Sequence, residues 1–471
     1  MLTKNAYFFI EIEIVTNSCI FRTKAQQQLS IKPKLGFFDL TMIIVSMVIG
    51  IGIFRNPSII AQHAGSASIF FIAWILGAVV SICGALTFAE IGSRFPVAGG
   101  YYKLFSLCYH PAIAFMLIWT YILLNAGSTA VVAFTGAQYI TPVLLPLSLQ
   151  NSNGEKLMFF FIIGVLFVLN FLGIRMGART QNILSMVKIG LMLVFISTLF
   201  FIPQNDAVPA VLQDAVASSS HPASAFISAL GMSLIAIFFT YGGYQNIVNL
   251  GADVKSPQRI IPKAILLAIG IVFLLYFSIN IAYVKVLGFE TVQHSPLIAA
   301  DLGKVLFGNA GAAFASVVIF ISVLGFINSE LLHNPRVMYA MAEEKILPKI
   351  FMNVHARKQV QEFTLIFYTS LIVVMFLLLQ TYNDLLNYVM FNDTISLACA
   401  ALCIFILRKK KTGDESKGFR IRWFPVLPII FIVMQLTVTA NIVYSDPGNS
   451  LIGFVVLLCG YPLYLLLKRF V

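Results

Sequence analysis

Two glycine-interrupted apolar stretches carry the residues best suited to bind a small ligand. Residues 48–54 read VIGIGIF and residues 239–244 read FTYGGY, each inside a longer apolar segment. Glycine weakens a helix, and unpaired main-chain N–H and C=O groups in a bilayer are costly unless protein or a polar cavity satisfies them. Each interruption should therefore line a site. Broken spans at corresponding places in two halves of a chain are typical of the substrate site of a secondary transporter.

The composition places these stretches in a membrane-embedded chain. Of the 471 residues, 59% are hydrophobic and only 11% are charged, and the mean hydropathy is +0.90. A soluble domain carries about 25% charged residues. Apolar runs of about 18 residues or more, each long enough to cross a hydrocarbon core of about 30 Å, recur along the chain. The strict alternation of a membrane β-barrel is absent. The sequence therefore predicts an all-α integral membrane protein.

The hydropathy pattern predicts twelve transmembrane helices, and the two glycine-interrupted stretches fall in the first and the sixth. The predicted spans are residues 37–64, 68–93, 111–140, 157–174, 180–202, 224–251, 262–287, 310–340, 363–381, 384–408, 424–445 and 448–468. Two of the outer connections are longer, at about 203–223 and 288–309, and the second is expected to form a short surface helix across the mouth. No segment resembles a soluble catalytic domain. No phosphate-binding loop of the GxxxxGK[ST] type is present, which argues against an ATP-driven pump.

The distribution of lysine and arginine predicts the orientation in the membrane. With the N-terminus inside, the even-numbered connections and both tails hold most basic residues, and the opposite side has little beyond Lys156, Lys285 and Lys304. This is the positive-inside pattern, so we expect a multi-pass protein of the cell membrane with both termini cytoplasmic. Residues 1–35 are expected to form a cytoplasmic tail. The net charge of +12 has this origin, and we expect no nucleic-acid partner.

Five motifs carry a resemblance to a known family. They are GIGIF at 50–54, AEI with FPVAGGYY at 89–102, YGGY at 241–244, DVKSPQRIIP at 253–262 and RVMYAMAEEKILP at 336–348. In this order and at this spacing they cover about residues 35–422, and by them the chain resembles the amino acid–polyamine–organocation (APC) superfamily of permeases. The resemblance implies a five-plus-five inverted repeat of the bacterial leucine transporter type, with discontinuous helices one and six and two further C-terminal helices.

The domain boundaries follow from the same resemblance. Residues 36–202 would form the first inverted repeat with helices one to five, and residues 223–408 the second with helices six to ten. Residues 423–471 would hold helices eleven and twelve.

The resemblance also implies how the two broken helices bind substrate. A half-helix N-terminus offers unpaired N–H groups and a positive dipole end to a carboxylate, whereas unwound carbonyls suit an α-ammonium group. The carbonyls are those of Val48, Phe239 and Gly242, and the amides are those of Ile51, Gly52 and Ile53. The full set of implied substrate-binding residues is Val48, Gly50, Ile51, Gly52, Ile53, Phe239, Gly242, Gly243, Tyr244 and Gln245.

The chain departs from the family pattern at three of these positions. Ile51 stands where the family usually has Ser or Thr, so a hydroxyl contact to the carboxylate is lost while the backbone donors remain. Tyr244 replaces a tryptophan, with Gln245 beside it. The change at Ile51 concerns how the carboxylate is bound, whereas Tyr244 and Gln245 concern the substrate side chain.

Lys188 lies about nine residues into the predicted fifth span. It matches the helix-five lysine that, in many sodium-independent relatives, takes the place of a sodium ion and bonds free carbonyls at the break in span one. This assignment implies sodium-independent transport by proton coupling or exchange, and Lys188 itself could carry the coupled proton. The alternative is a lysine near the inner interface whose ammonium group snorkels to water.

Other ionisable residues at membrane depth are functional hypotheses by default. Arg55 and Asp393 are predicted at matching depth and could form an ion pair that closes the outer vestibule, or each could be solvated separately in the aqueous mouth. For Glu330, a structural pairing with Arg336 is favoured over a place in the inner pathway. Glu90 is expected in a salt bridge at the inner surface.

The expected function is secondary active transport of L-amino acids by alternating access. Polyamines or cationic amino acids need acidic groups at the pocket, and none occurs in the sequence around either interruption. A neutral L-amino acid is therefore the expected substrate, and a polyamine or cationic amino acid antiporter is the alternative. A non-transporting amino acid sensor on the same fold is an alternative of another class. An enzyme is not expected, because the acidic residues and the six histidines are scattered.

The expected partners are the amino acid substrate and the lipid bilayer. The six cysteines show no metal-ligand spacing and imply no disulfide framework, so neither a metal nor another cofactor is expected. The connection at residues 141–156 contains no cysteine. A disulfide-linked single-span heavy chain, of the kind used by heteromeric relatives, is therefore not expected.

Overall fold

The computed structural model describes residues 33–201, 223–295, 297–378, 382–410 and 418–470. The predicted N-terminal tail lies almost wholly outside these ranges, as does the long connection predicted at about 203–223. Within the described ranges the chain is helical, and its β-bridges are two isolated pairs, Leu35 with Val254 and Ala98 with Leu250.

The helices follow one another in the order that the hydropathy pattern predicts. Those of the first half are α1 (Phe37–Val48), α2 (Gly52–Ala64), α3 (Ala67–Arg94), α4 (Gly100–Cys108), α5 (Pro111–Leu144), α6 (Ser152–Phe171) and α7 (Ile174–Phe201). Those of the second half are α8 (Ala223–Tyr241), α9 (Pro257–Leu287), α10 (Phe289–His294), α11 (Ile298–Phe307), α12 (Gly311–Glu343), α13 (Glu362–Leu378), α14 (Tyr382–Lys410), α15 (Val426–Ser445) and α16 (Pro447–Phe470).

Most of these helices can cross a membrane. In the described ranges nine are long and apolar enough, namely α3, α5, α6, α7, α9, α12, α14, α15 and α16. The pair α1 and α2, bent by 41° at its break, raises the number to ten. Helices α8 and α13 stand where the sixth and ninth spans are predicted, and α13 has only 17 residues. The chain is a multi-pass, all-helical membrane protein.

Both glycine-interrupted stretches break their helices. Helix α1 ends at Val48 and α2 begins at Gly52, so three residues between them are not helical. Helix α8 ends at Tyr241, and the chain continues through Gly243 into a 3₁₀ helix, Tyr244–Asn249. Gly243 has a backbone φ of +112°, which residues other than glycine rarely adopt.

The packing of the helices brings the two breaks together inside the bundle. Helix α2 packs against α8, and α1 packs against α9, α7 and the 3₁₀ helix Tyr244–Asn249. A Cβ atom on Gly243 would lie 2.5 Å from the main-chain oxygen of Met47. The backbones of the two broken segments are thus in direct contact, which requires a residue without a side chain at this point.

The connection predicted to form one short surface helix at about 288–309 contains two. Helices α10 and α11 follow α9 and pack against α2, and α11 also packs against α12. The connection is helical as predicted, with two helices in place of one, and α10 ends before Ser295, whose backbone is extended.

Glu90 lies in a buried ion-pair cluster, which confirms the predicted salt bridge. Its carboxylate accepts hydrogen bonds from Arg94 Nη1 at 3.0 Å and from Arg408 Nε and Nη2 at 2.8 and 2.6 Å. The backbone N–H of Ile421 donates to the same carboxylate at 2.8 Å. Glu90 therefore joins α3 and α14 to the segment that precedes α15.

Replacing Glu90 with glutamine should destabilise the protein strongly. The glutamate is fully buried, and removing one partner of a buried ion pair costs about 3–5 kcal/mol because the other charges remain unpaired. We expect the apparent melting temperature in detergent to fall by at least about 5 °C. The matched control is Glu290→Gln, an exposed glutamate whose replacement should change stability by less than about 0.5 kcal/mol. Equal melting temperatures for the two variants would contradict the structural role of the cluster.

Candidate functional site

A cavity lies between the two helix breaks. Together with the open space at its mouth, it holds about 730 Å³ that is not filled by protein atoms. Eight lining residues come from the two sides of the first break and from α5: Met47, Val48, Gly50, Ile51, Gly52, Asn125, Ser128 and Val132. The others are Phe238, Phe239, Thr240, Gly242, Gly243, Gln245, Asn246, Phe326, Glu330, Met390 and Asp393.

The first break presents main-chain donors beside this cavity. The amides of Ile51, Gly52 and Ile53 lie at the N-terminal end of α2, and none has a main-chain acceptor among the described residues. Ile51 and Gly52 line the cavity, whereas the side chain of Ile53 is buried elsewhere. Unpaired N–H groups at the positive end of a 13-residue helix can bind a carboxylate.

The carbonyl of Val48 is already hydrogen-bonded, contrary to the prediction that it is free for substrate. It accepts from the N–H of Gly50 at 2.9 Å and from the hydroxyl of Tyr276 at 2.9 Å. The Tyr276 hydroxyl also lies 3.2 Å from the carbonyl oxygen of Thr240. Tyr276, on α9, therefore links the two breaks, a role that the sequence analysis does not identify.

Carbonyls of the second break remain accessible. The carbonyl of Phe239 receives one long hydrogen bond, 3.4 Å, from the N–H of Gly242, and the carbonyl of Gly242 accepts no main-chain donor among the described residues. Both residues line the cavity. The N–H of Gly243 is satisfied by Gln245 Oε1 at 2.9 Å. Phe239 and Gly242 can therefore accept hydrogen bonds from an ammonium group.

Tyr244 does not line the cavity, although it belongs to the predicted site. Its ring packs edge-on against Phe88 of α3, and a Cβ atom on Gly84 would lie 2.0 Å from its hydroxyl oxygen. The chain turns at Gly243 and enters a 3₁₀ helix, so that Gln245 and Asn246 line the cavity instead. The tyrosine at this position fills the space between helices.

Lys188 on α7 contacts the first break from behind. Its ammonium group donates to the carbonyl of Ile49 and, at 3.3 Å, to Ser46 Oγ. The residue is fully buried, so the alternative of a lysine that snorkels to water does not describe it. A Cβ atom on Gly325 would lie 3.0 Å from Nζ, so α12 passes close to the ammonium group. Lys188 therefore links α7 to the first break, at a point where α12 passes close to its ammonium group.

Comparison with known proteins gives the family of this chain. The family model described as amino acid permease matches residues 35–461. The chain belongs to the amino acid permease family. This confirms the resemblance carried by the five sequence motifs, and family members of this kind are transporters rather than enzymes.

Curated relatives cover the permease almost from end to end. It is 25% identical over 443 residues to the serine/threonine exchanger SteT of Bacillus subtilis (strain 168), which is 93% of this chain and 98% of the exchanger. It is 28% identical over 451 residues to the cystine/glutamate transporter of Homo sapiens, covering 94% and 86% of the two chains. It is 26% identical over 439 residues to the large neutral amino acids transporter small subunit 2 of Rattus norvegicus, covering 93% and 81%.

The cavity of the permease contains two acidic residues that the sequence analysis did not place there. Glu330 on α12 and Asp393 on α14 both line it. The sequence around the two interruptions contains no acidic group, as stated above. The expectation that the pocket has none is wrong, because the fold brings Glu330 and Asp393 to the cavity. The signal was present, since ionisable residues in membrane spans are functional candidates, but their rotation toward the breaks is not readable from sequence.

Glu330 does not pair with Arg336, so that prediction is wrong. Arg336 is engaged by Asp253, with Nε 3.0 Å from Oδ2 and Nη2 3.4 Å from Oδ1. Glu330 Oε2 instead accepts a hydrogen bond of 2.7 Å from Asn334 Nδ2, and His333 Nε2 lies 3.8 Å away. Six positions along α12 therefore separate a cavity-lining carboxylate from an arginine that is paired elsewhere.

Asp393 and Arg55 form no ion pair in the part of the chain that the structure describes. Asp393 borders the cavity, whereas Arg55 lies in α2, three residues beyond Gly52, and does not line it. A gate that joins the two requires another conformation of the permease, and it stays a prediction.

The described residues contain no group of three or more His, Cys, Asp or Glu side chains that could hold a metal ion. The polar groups that line the site of the permease are main-chain groups, the hydroxyls of Ser128 and Thr240, the amides of Asn125, Gln245 and Asn246, and the two carboxylates.

Proposed function

We propose that this permease is a secondary active transporter that binds an L-amino acid between its two helix breaks and moves it by alternating access. The observation that carries the proposal is the cavity shared by both breaks, with helix-end amides on one side and open carbonyls on the other. A zwitterion needs these two kinds of partner at once, because its carboxylate accepts and its ammonium donates hydrogen bonds.

The proposed architecture has twelve spans in a five-plus-five inverted repeat with both termini cytoplasmic. Residues 36–202 and 223–408 would form the repeats, and residues 423–471 the last two helices. Two observations support this arrangement. A broken helix begins each of the two proposed repeats, and lysines and arginines concentrate in the even-numbered connections between the predicted spans.

In the proposed complex the substrate carboxylate lies against the amides of Ile51, Gly52 and Ile53. The α-ammonium group lies against the carbonyls of Phe239 and Gly242. The carbonyl of Val48, which already accepts two hydrogen bonds, positions the break and does not bind substrate.

Transport is proposed to be independent of sodium. The buried ammonium group of Lys188 already donates to the carbonyl of Ile49, so the oxygen that a sodium ion would coordinate there is occupied by a cation. Coupling would then use protons or exchange of one amino acid for another. No disulfide-linked heavy chain is proposed, since the connection at 141–156 contains no cysteine.

Uptake into proteoliposomes tests the proposal. Purified permease is reconstituted and offered a panel of labelled L-amino acids, with sodium or choline outside, with or without a proton gradient, and with or without internal amino acids. We expect saturable uptake of at least one amino acid, changed less than about twofold when choline replaces sodium. No uptake or exchange of any amino acid by monodisperse protein would contradict the proposal, and strict sodium dependence would contradict the role of Lys188. Protein-free liposomes are the control.

A further inference from the structure

The charges that line the cavity are of one sign. Among its described lining residues are Glu330 and Asp393, and none is lysine, arginine or histidine. The buried ammonium group of Lys188 donates to Ile49 and Ser46 and does not line the cavity. The site therefore offers two carboxylates in addition to the main-chain groups that the α-substituents of an amino acid require.

Asp393 has no partner of its own within the described ranges. Its carboxylate makes no hydrogen bond or ion pair there. The residue borders the main cavity and also two smaller clefts that open beside it, one next to Asn125 and one next to Tyr101. A carboxylate at membrane depth without a partner is costly unless a cation or a proton reaches it.

Glu330 is held by neutral groups. Asn334 Nδ2 donates to it at 2.7 Å, and the same amide lies 2.9 Å from the hydroxyl of Tyr368. His333 Nδ1 lies 2.9 Å from the carbonyl oxygen of Ser329. Because a carbonyl only accepts, Nδ1 carries a hydrogen, and Nε2 faces the Tyr121 hydroxyl at 3.1 Å. Glu330 is thus oriented by its neighbours without an arginine or lysine to neutralise it.

A zwitterionic substrate cannot supply the missing charge. Its carboxylate and α-ammonium group are matched by the helix-end amides and by the carbonyls of Phe239 and Gly242. A substrate with an acidic side chain would add a third negative charge beside Glu330 and Asp393, which is repulsive in a site sheltered from water. A positively charged side chain would pair with them.

We propose that the substrate of this site is an amino acid with a cationic side chain, an ammonium or a guanidinium group, and that Asp393 binds this group with Glu330 beside it. The inference rests on the proposed function, which it narrows to a substrate class. It reverses the expectation of a neutral substrate, which depended on the absence of acidic groups near the breaks. Asp393 is the primary partner because its carboxylate has none among the described residues, whereas Glu330 already accepts from Asn334.

The test compares cationic and neutral substrates in proteoliposomes. Uptake of labelled L-arginine and L-lysine is measured against L-leucine and L-serine for the wild type, Asp393→Asn and Asp301→Asn. Asp301 is the matched control, since it lies on α11 away from the cavity and is partly exposed. We expect the wild type to prefer arginine over leucine by at least about tenfold, and Asp393→Asn to lower that ratio by at least about tenfold. The control should keep the ratio within about twofold.

If Asp393→Asn does not elute as a monodisperse protein, the same uptake ratio is measured for Glu330→Gln. The carboxylate of Glu330 is the second partner, and we expect its loss to lower the arginine-to-leucine ratio by about threefold. An unchanged ratio in a folded variant of either residue would overturn the inference, and a loss of proton dependence alone would assign the carboxylates to proton coupling instead.

The outcomes separate the inference from the function on which it rests. Wild-type uptake of leucine or serine without arginine or lysine would overturn the cationic substrate and leave amino acid transport intact. Failure of a monodisperse wild type to take up or exchange any amino acid would overturn both.

Discussion

Replacing Lys188 with alanine is expected to lower amino acid uptake by about 100-fold or more. The side chain is fully buried, and its ammonium group donates to the carbonyl of Ile49 in the first break. Its removal leaves that carbonyl unsatisfied and deletes a charged hydrogen bond, which together cost about 3 kcal/mol. This cost corresponds to about 100-fold in an equilibrium constant. Ile49 lies in the break between α1 and α2, so the loss destabilises the backbone conformation that is proposed to bind the substrate carboxylate.

Two further variants separate the charge from the volume of Lys188. Lys188→Met keeps the length of the side chain without the ammonium group, and we expect it to lose uptake like the alanine variant while eluting as a monodisperse protein. Lys304→Ala removes a lysine whose side chain is 62% exposed, and it should retain uptake within about twofold. Wild-type uptake by Lys188→Met would show that the ammonium group is dispensable, and the proposed sodium-like role would then fail.

The breaks were predictable because their cause is local. Two glycines around Ile51, and two adjacent glycines after Tyr241, lower helix stability inside otherwise apolar spans, and the helices end within a residue or two of them. The order and approximate limits of the spans were predictable for a similar reason, since hydropathy measures what a bilayer requires of each segment separately.

The parts of the site that the sequence did not predict depend on contacts between distant segments. Tyr276 reaches the Val48 carbonyl across 228 positions of the chain, and no pattern near either residue indicates it. Glu330 and Asp393 were recognised as ionisable residues in spans, but their places in the cavity depend on how α12 and α14 are rotated about their axes. Spacing along one helix fixes which residues share a face, and it does not fix which neighbour that face meets.

The errors at Tyr244 and Glu330 have the same origin. Tyr244 directly follows two glycines that line the cavity, yet it packs against α3 because the chain turns at Gly243. Arg336 stands six positions after Glu330 on the same helix, yet it pairs with Asp253 from the segment that follows the second break. Both predictions relied on proximity in the sequence, and in the folded protein tertiary packing gives each of these side chains a different partner.

Replacing Gly243 with alanine is expected to abolish transport and to destabilise the protein. The residue has φ +112°, and a Cβ atom would lie 2.5 Å from the carbonyl oxygen of Met47 and 2.8 Å from its carbon. Backbone strain of this kind costs about 1–3 kcal/mol, and overpacking adds about 1–3 kcal/mol. Because the atoms in the way belong to main chain, α1 or the 3₁₀ helix Tyr244–Asn249 must move, and both border the cavity.

Gly288→Ala separates strain from close approach. Gly288 has φ +83° between α9 and α10, and a Cβ atom there would meet nothing within 4 Å. The variant should therefore lose about 1–3 kcal/mol of stability from strain alone and keep uptake within about twofold, whereas Gly243→Ala should lose uptake by about 100-fold or more. Uptake in proteoliposomes and melting temperature in detergent measure the two effects. If both variants lose stability equally and both still transport, contact between the two broken backbones is not what shapes the substrate site.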